Sequence, residues 1–210
     1  VKRILTIITI FVLIFYFQNL SFAGDSKEID LKSNIPEALR AAYEKCTNNV
    51  SYKIISKTNV DGKEYQVTTK VYFKNEKTCK FENEFMGSET IAVITPEGSW
   101  NYIKNNNTLI NISDMKTMGP LDLLSNGFVM NEGKENNLST FTFELKNEKI
   151  KGIGTIYVDT KNNLILKTII KNLNGKAITE TYYSDFKFEK QEDYLFKKPK
   201  GAKEISAPKK

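Results

Sequence analysis

The sequence of 210 residues contains no histidine, only two cysteines, five prolines and a single tryptophan. Without an imidazole, no Ser-His or Cys-His nucleophile, no histidine general base and no histidine-containing zinc site can be built. Cys46 and Cys79 lack Cys-x-x-Cys spacing, which argues against a thiol redox motif or an all-cysteine zinc site. Carboxylates are numerous, but none falls into a recognisable catalytic pair, and nothing marks the acidic pocket that a carboxylate-dependent hydrolase would need. No glycine loop cradles a phosphate. Gly152 and Gly154 open the strand-like run Lys151-Gly-Ile-Gly-Thr-Ile-Tyr-Val and lack the third glycine and following helix of a dinucleotide site. The chain therefore reads as a binding protein and not an enzyme, with no cofactor and no metal expected.

Charged residues are plentiful, but basic and acidic ones nearly balance, leaving a net charge of +6. Lys2 and Arg3 precede an unbroken apolar run from Ile4 to Phe17, and Ser21-Phe22-Ala23 offers small residues where a signal peptidase reads. Residues 1–23 are thus expected to be a cleavable signal peptide, the apolar run being shorter than the roughly 20 residues of a spanning helix. Removing Lys2 and Arg3 lowers the net charge from +6 to +4. That excess is spread out, apart from Lys197, Lys198, Lys200, Lys203, Lys209 and Lys210 near the end, which read as a solvated tail and not as a nucleic-acid face. A monomeric, extracytoplasmic protein of the bacterial envelope is expected, in the periplasm. There Cys46 and Cys79 either form a disulfide, closing a loop of about 30 residues for roughly 3 to 4 kcal/mol, or remain two buried thiols.

Periodicity supplies the rest. After a polar leader at residues 24–33, Pro36 and Glu37 read as a helix start, and Leu39, Ala42, Tyr43 and Cys46 recur at helical spacing, predicting a helix from about Asn34 to Thr47. From Val50 the period becomes two. Tyr65, Val67, Thr69, Val71 and Phe73 alternate with polar residues; Cys79, Phe81 and Phe85 share one parity with Asn83 among them; Phe141, Phe143 and Leu145 alternate likewise. Turns at Asp61-Gly62, Asn75-Glu76, Pro96-Glu97-Gly98, Asn105 to Asn107, Asn147-Glu148, Lys161-Asn162 and Asn174-Gly175 divide the chain into roughly ten strands of an antiparallel meander. Within Met115 to Met130, Pro120 at a start and Gly127 at an end predict a short helix from about Pro120 to Asn126. Its Leu121 and Leu124 would either plug the end of the core or form a movable cover.

With these elements in order, the chain resembles the LolA outer-membrane lipoprotein carrier family. The likeness rests on the leader helix, the hairpins, the strand with Trp100-Asn101-Tyr102, the Pro-Leu-x-Leu-Leu helix, the closing Tyr183-Ser184-Asp185-Phe186 strand and the final Phe196-x-x-Pro199-x-Gly201. The resemblance implies a mainly β (α+β) fold over residues 34–205, followed by a basic tail at 206–210. In it, a curved antiparallel incomplete β-barrel carries an N-terminal helix and a short covering helix on its concave face. Periplasmic sensors of the RseB type share that architecture.

The resemblance also implies a task, the binding of lipoprotein acyl chains or another lipid in an apolar cavity for transfer to an envelope acceptor or from a donor protein. Expected cavity-lining residues are Phe73, Phe81, Phe85, Trp100, Tyr102, Phe141 and Phe143, each of which could equally be ordinary core. Pro120, Leu121, Leu123 and Leu124 would form the cover. Lys80 stands where family members place an Arg that holds the cover closed, and a Lys offers a flexible point charge in place of a fixed fork of donors. The alternative task is that of a protein-interaction module, sensing or regulating an envelope protein through the same sheet without transporting lipid.

Overall fold

In the computed structural model, which describes residues 35–60, 62–112, 129–146 and 151–206, one helix lies on one very large sheet. Helix α1 (Glu37–Cys46) leads into strands β1 (Val50–Val60), β2 (Lys63–Asn75), β3 (Thr78–Phe85), β4 (Ser88–Thr95), β5 (Gly98–Ile103) and β6 (Thr108–Ile112). After residues 113–128 follow β7 (Val129–Glu135), β8 (Leu138–Lys146), β9 (Lys151–Asp159), β10 (Leu164–Asn172) and β11 (Ala177–Phe188), then a 3₁₀ turn (Asp193–Phe196) and β12 (Lys203–Ser206).

All twelve strands form a single curved sheet in the order β12-β6-β5-β4-β3-β2-β1-β11-β10-β9-β8-β7. Two meanders, β1 to β6 and β7 to β11, are joined where β1 pairs antiparallel with β11. Only β12 runs parallel, against β6. The expected count of roughly ten falls short by two, the number of tight turns that went unread. Met86-Gly87 (φ +48 and +76) and Asn136-Asn137 (φ +49 and +65) both hold the left-handed conformations that two-residue hairpins need. Ile112 and Val129 lie on strands ten positions apart in the sheet, about 48 Å if it were flat. The curvature of the sheet brings the two strands closer than that.

Helix α1 is three residues shorter at its start than the periodicity predicts, because Pro36 occupies the N-cap position and its carbonyl accepts from the amides of Leu39 and Arg40. Glu37 in the first turn and Lys45 in the last suit the helix dipole. Its buried stripe, Leu39, Ala42 and Cys46, meets Phe141, Phe143 and Leu145 of β8, Ile156 and Val158 of β9 and Ile165 of β10. At the far end, Lys45 donates to the Asn162 carbonyl (2.8 Å) and stands 4.9 Å over the Phe188 ring.

Gly154 makes this packing possible. A Cβ there would come within 2.2 Å of the fully buried Phe143 ring, and one on Gly152 within 2.2 Å of the Lys171 carbonyl oxygen. The two glycines that open β9 are therefore sites of close approach on the sheet. Gly154→Ala is expected to destabilise the protein by about 1 to 3 kcal/mol through overpacking. In a Phe143→Leu background the same substitution should cost clearly less. Urea denaturation of the four proteins checks this; equal costs in both backgrounds would mean that the ring does not set the constraint.

Candidate functional site

The strand registers sort every side chain of the sheet onto one of two faces, and the two differ in charge. On the face that carries α1, β1 contributes Val50, Tyr52, Ile54, Ser56 and Thr58, and β2 contributes Tyr65, Val67, Thr69, Val71 and Phe73. The same rows continue through Cys79, Phe81, Asn83 and Phe85 of β3, Ser88, Thr90, Ala92 and Ile94 of β4, and Ser99, Asn101 and Ile103 of β5. In the other direction they run through Thr179, Thr181 and Tyr183 of β11, Thr168 and Ile170 of β10, Gly154 and Ile156 of β9, and Phe141 and Phe143 of β8. Among the described residues of β1 to β6 and β8 to β11, Lys63 at the tip of β2 is the only charged residue in these rows. The opposite face holds the ions, including Lys80 with Glu82 (2.7 Å), Lys167 with Glu180 (3.3 Å) and Lys104 with Glu89.

This sorting divides the expected lining. Phe73, Phe81, Phe85, Phe141 and Phe143 do share the helix-bearing face; Phe81 is half-buried and the others are buried. Trp100 and Tyr102 do not. They lie on the opposite face, where Trp100 packs with Val93, Leu109 and Phe196, and Tyr102 adjoins the same cluster. The closing motif explains why. From β11 the chain crosses to that face, seats Phe196 on β4 to β6, turns through Gly201 (φ +74) and lays β12 beside β6. Asn107 locks the arrival, its Nδ2 donating to the Gly201 carbonyl (3.0 Å) and its own carbonyl accepting from the Lys203 amide (2.9 Å).

Lys80 also departs from expectation. With Phe81 on the helix-bearing face, strand alternation turns Lys80 to the other, where it pairs with Glu82 and lies 5.3 Å from the Tyr72 ring centroid. It therefore lies on the face opposite Phe81 and the other aromatic rows, while the cover it was expected to hold lies outside the described residues. Pro120, Leu121, Leu123 and Leu124, and residues 1–23, expected to be a signal peptide, lie outside the described residues.

At the centre of the helix-bearing face stands Tyr52, unnoticed in the sequence. Its ring lies 5.1 Å from Phe186, 6.1 Å from Tyr183 and 6.3 Å from Phe73. Tyr183 and Phe186 have opposite parity, yet both reach it because β11 bulges between the pairs Lys53–Ser184 and Ser51–Lys187, with Asp185 at φ +58. The Tyr-Ser-Asp-Phe motif is thus a bulge that points two aromatic rings the same way. Burial is the first cause of a Tyr52 hydroxyl pKa well above the tyrosine range, with Cys46, Tyr183 and Cys79 adding to it. Burial likewise raises Tyr183 to about 12, against a hydrogen bond with Thr168, and Cys46 to about 11, against a backbone hydrogen bond at Ile165.

Cys46 and Cys79 are both buried, and no disulfide joins them. They belong to different apolar clusters, Cys46 under α1 and Cys79 around Tyr52 and Phe73. A cross-link needs Cα atoms within about 7 Å and converging Cβ vectors.

No protein-family model and no curated protein matches the chain. Among solved structures, it is similar to an uncharacterized conserved protein from Thermus thermophilus, 14% identical, covering 81% of this chain and 98% of that one with a TM-score of 0.60. At that identity the likeness is one of fold. It is also similar to a LolA superfamily protein from Nitrosomonas europaea, at 13% identity, 77% and 96% coverage and a TM-score of 0.43. A further similar structure is the Pseudomonas aeruginosa MucA/MucB complex, at 9% identity and a TM-score of 0.46; the match covers 85% of this chain and 64% of the solved one.

Two measurements follow from the buried hydroxyl and thiol groups. Thiol titration should find two reactive groups after denaturation without reductant and very slow reaction before it; fewer than two would restore the disulfide. Cys46 and Tyr183 stay neutral in the folded chain above the pH at which the unfolded chain ionises them. Their contribution is therefore complete below about pH 9 and is lost as pH rises towards 12, by on the order of 2 kcal/mol per group. Urea midpoints between pH 8 and 12 should fall accordingly, and Cys46→Ala should remove the part of the decline that begins near pH 9.

Proposed function

We propose that this chain is a LolA-like envelope protein that binds the acyl chains of a lipoprotein, or another lipid, on the helix-bearing face and carries them between membranes. The observation that supports this reading is the near absence of charge from that face across ten strands, while Lys and Glu crowd the other. A folded sheet needs no such exclusion merely to be stable at a solvated face. An acyl chain does need it, because each methylene left in water costs about 0.8 kcal/mol and a buried ion beside it would lose its hydration.

In this reading Phe73, Phe81 and Phe85 meet the ligand, Phe141 and Phe143 support the wall under α1, and Trp100 and Tyr102 hold the strap on the other side. Residues 113–128, tied to strands near opposite edges of the sheet, would supply the cover through Pro120, Leu121, Leu123 and Leu124. Cargo would leave when an acceptor offers a more apolar surface.

Neighbouring residues of β1 make a matched test. Ile54 and Ile55 are both half-buried, share one strand and point to opposite faces. Ile54→Lys is expected to weaken binding of a fluorescent acyl probe at least tenfold, and Ile55→Lys to leave it within about twofold, with both variants checked for a cooperative melt. Equal losses, or none, would overturn the assignment of the ligand to this face.

A further inference from the structure

Across β3, β4 and β5 the helix-bearing face is uncharged but not uniformly apolar. A polar row crosses it next to the phenylalanines. Thr69 of β2 donates to Asn83 Oδ1 of β3 at 2.8 Å, and Asn83 stands directly opposite Thr90 of β4. Asn101 of β5 pairs with Ala92, one step along from Thr90. Asn83 is 6% exposed and Thr90 5%. Three side-chain atoms of this row are buried without any hydrogen-bond partner: Asn83 Nδ2, Thr90 Oγ1 and Asn101 Oδ1. Buried polar groups in native proteins are nearly always paired, so three on adjacent strands of one face call for a partner from outside the chain.

Resting on the acyl-carrier reading above, we propose that these three residues form a subsite for the uncharged polar link of the ligand, and that the link is a secondary amide. The donor and acceptor inventory selects it. Asn83 Nδ2 can only donate, Asn101 Oδ1 can only accept and Thr90 Oγ1 does either. A carboxylate offers acceptors alone and would bring a charge onto a face where the nearest strands, β3 to β5, carry no cation in these rows, Lys63 lying at the far tip of β2. An ester offers a carbonyl to Asn83 and Thr90 but nothing to Asn101. A secondary amide satisfies both sides, its carbonyl accepting from Asn83 and Thr90 while its N–H donates to Asn101. The strands of Asn83 and Asn101 flank β4 and so lie roughly 10 Å apart. That separation leaves room for an amide held between the two side chains. Phe81 and Phe85, on either side of Asn83 along β3, would flank the attached acyl chain.

The test uses N-methyldodecanamide and methyl dodecanoate, each displacing a fluorescent acyl probe from the full chain. The amide should compete at least tenfold better than the ester. Thr90→Val, which leaves the Thr69–Asn83 bond intact, and Asn83→Leu should each bring the two within about threefold, chiefly by weakening the amide. Thr90→Val should also raise the melting temperature of the empty protein, because an unpaired hydroxyl is no longer buried. Equal affinities in the unaltered protein would mean that the three atoms hold solvent only and would overturn the subsite while leaving the carrier reading in place. A preference that survives both substitutions would overturn it too. Failure of the acyl probe to bind at all would remove the carrier reading, and this subsite with it.

Discussion

The rest of this structure depends on keeping charge off one side of ten strands of the sheet, β1 to β6 and β8 to β11. Alternation obliges each strand to present every second residue to each face, and cross-strand pairing extends that choice from strand to strand. Because the rows agree from β8 to β5, one continuous neutral surface forms, and a single short helix suffices to cover part of it. The ions on the other face find partners there, Glu82 two residues along the same strand for Lys80 and Glu180 on the neighbouring strand for Lys167.

Three local devices shape so large a sheet. Glycine at position 154 makes a hollow for the Phe143 ring beneath α1. The bulge at Asp185 turns Tyr183 and Phe186 together onto Tyr52, where the two meanders meet. The strap ending in Phe196 fastens the opposite face, uses the only tryptophan as its seat and adds β12 as a parallel edge. Trp100 is therefore structural by position, although its residue type suits a ligand wall equally well.

The polar atoms on the neutral face are the costly exception. Leaving a buried donor or acceptor unpaired costs about 1 to 3 kcal/mol each, a large fraction of a typical domain's stability. Asn83 interrupts the apolar parity of Cys79, Phe81 and Phe85, and this was visible in the sequence as a polar residue on the wrong side of an amphipathic strand. That Thr90 and Asn101 stand beside it was not visible, because their strands show no comparable break in pattern.

The sequence by itself determined the class of fold, the parity within each strand, the helix stripe of Leu39, Ala42 and Cys46 and most turns, since period, proline and glycine act over a few residues. Resemblance to a carrier family added an architecture and a task. Only the tertiary structure decided which parities share a face. Parity is a property of one strand, whereas the face it meets is set by hydrogen-bond register with a partner that can lie more than a hundred residues away, as β11 does from β1, and a single bulge reverses it. For that reason Phe73 and Phe81 are neighbours on one face, while Trp100, Tyr102 and Lys80 belong to the other side of the sheet.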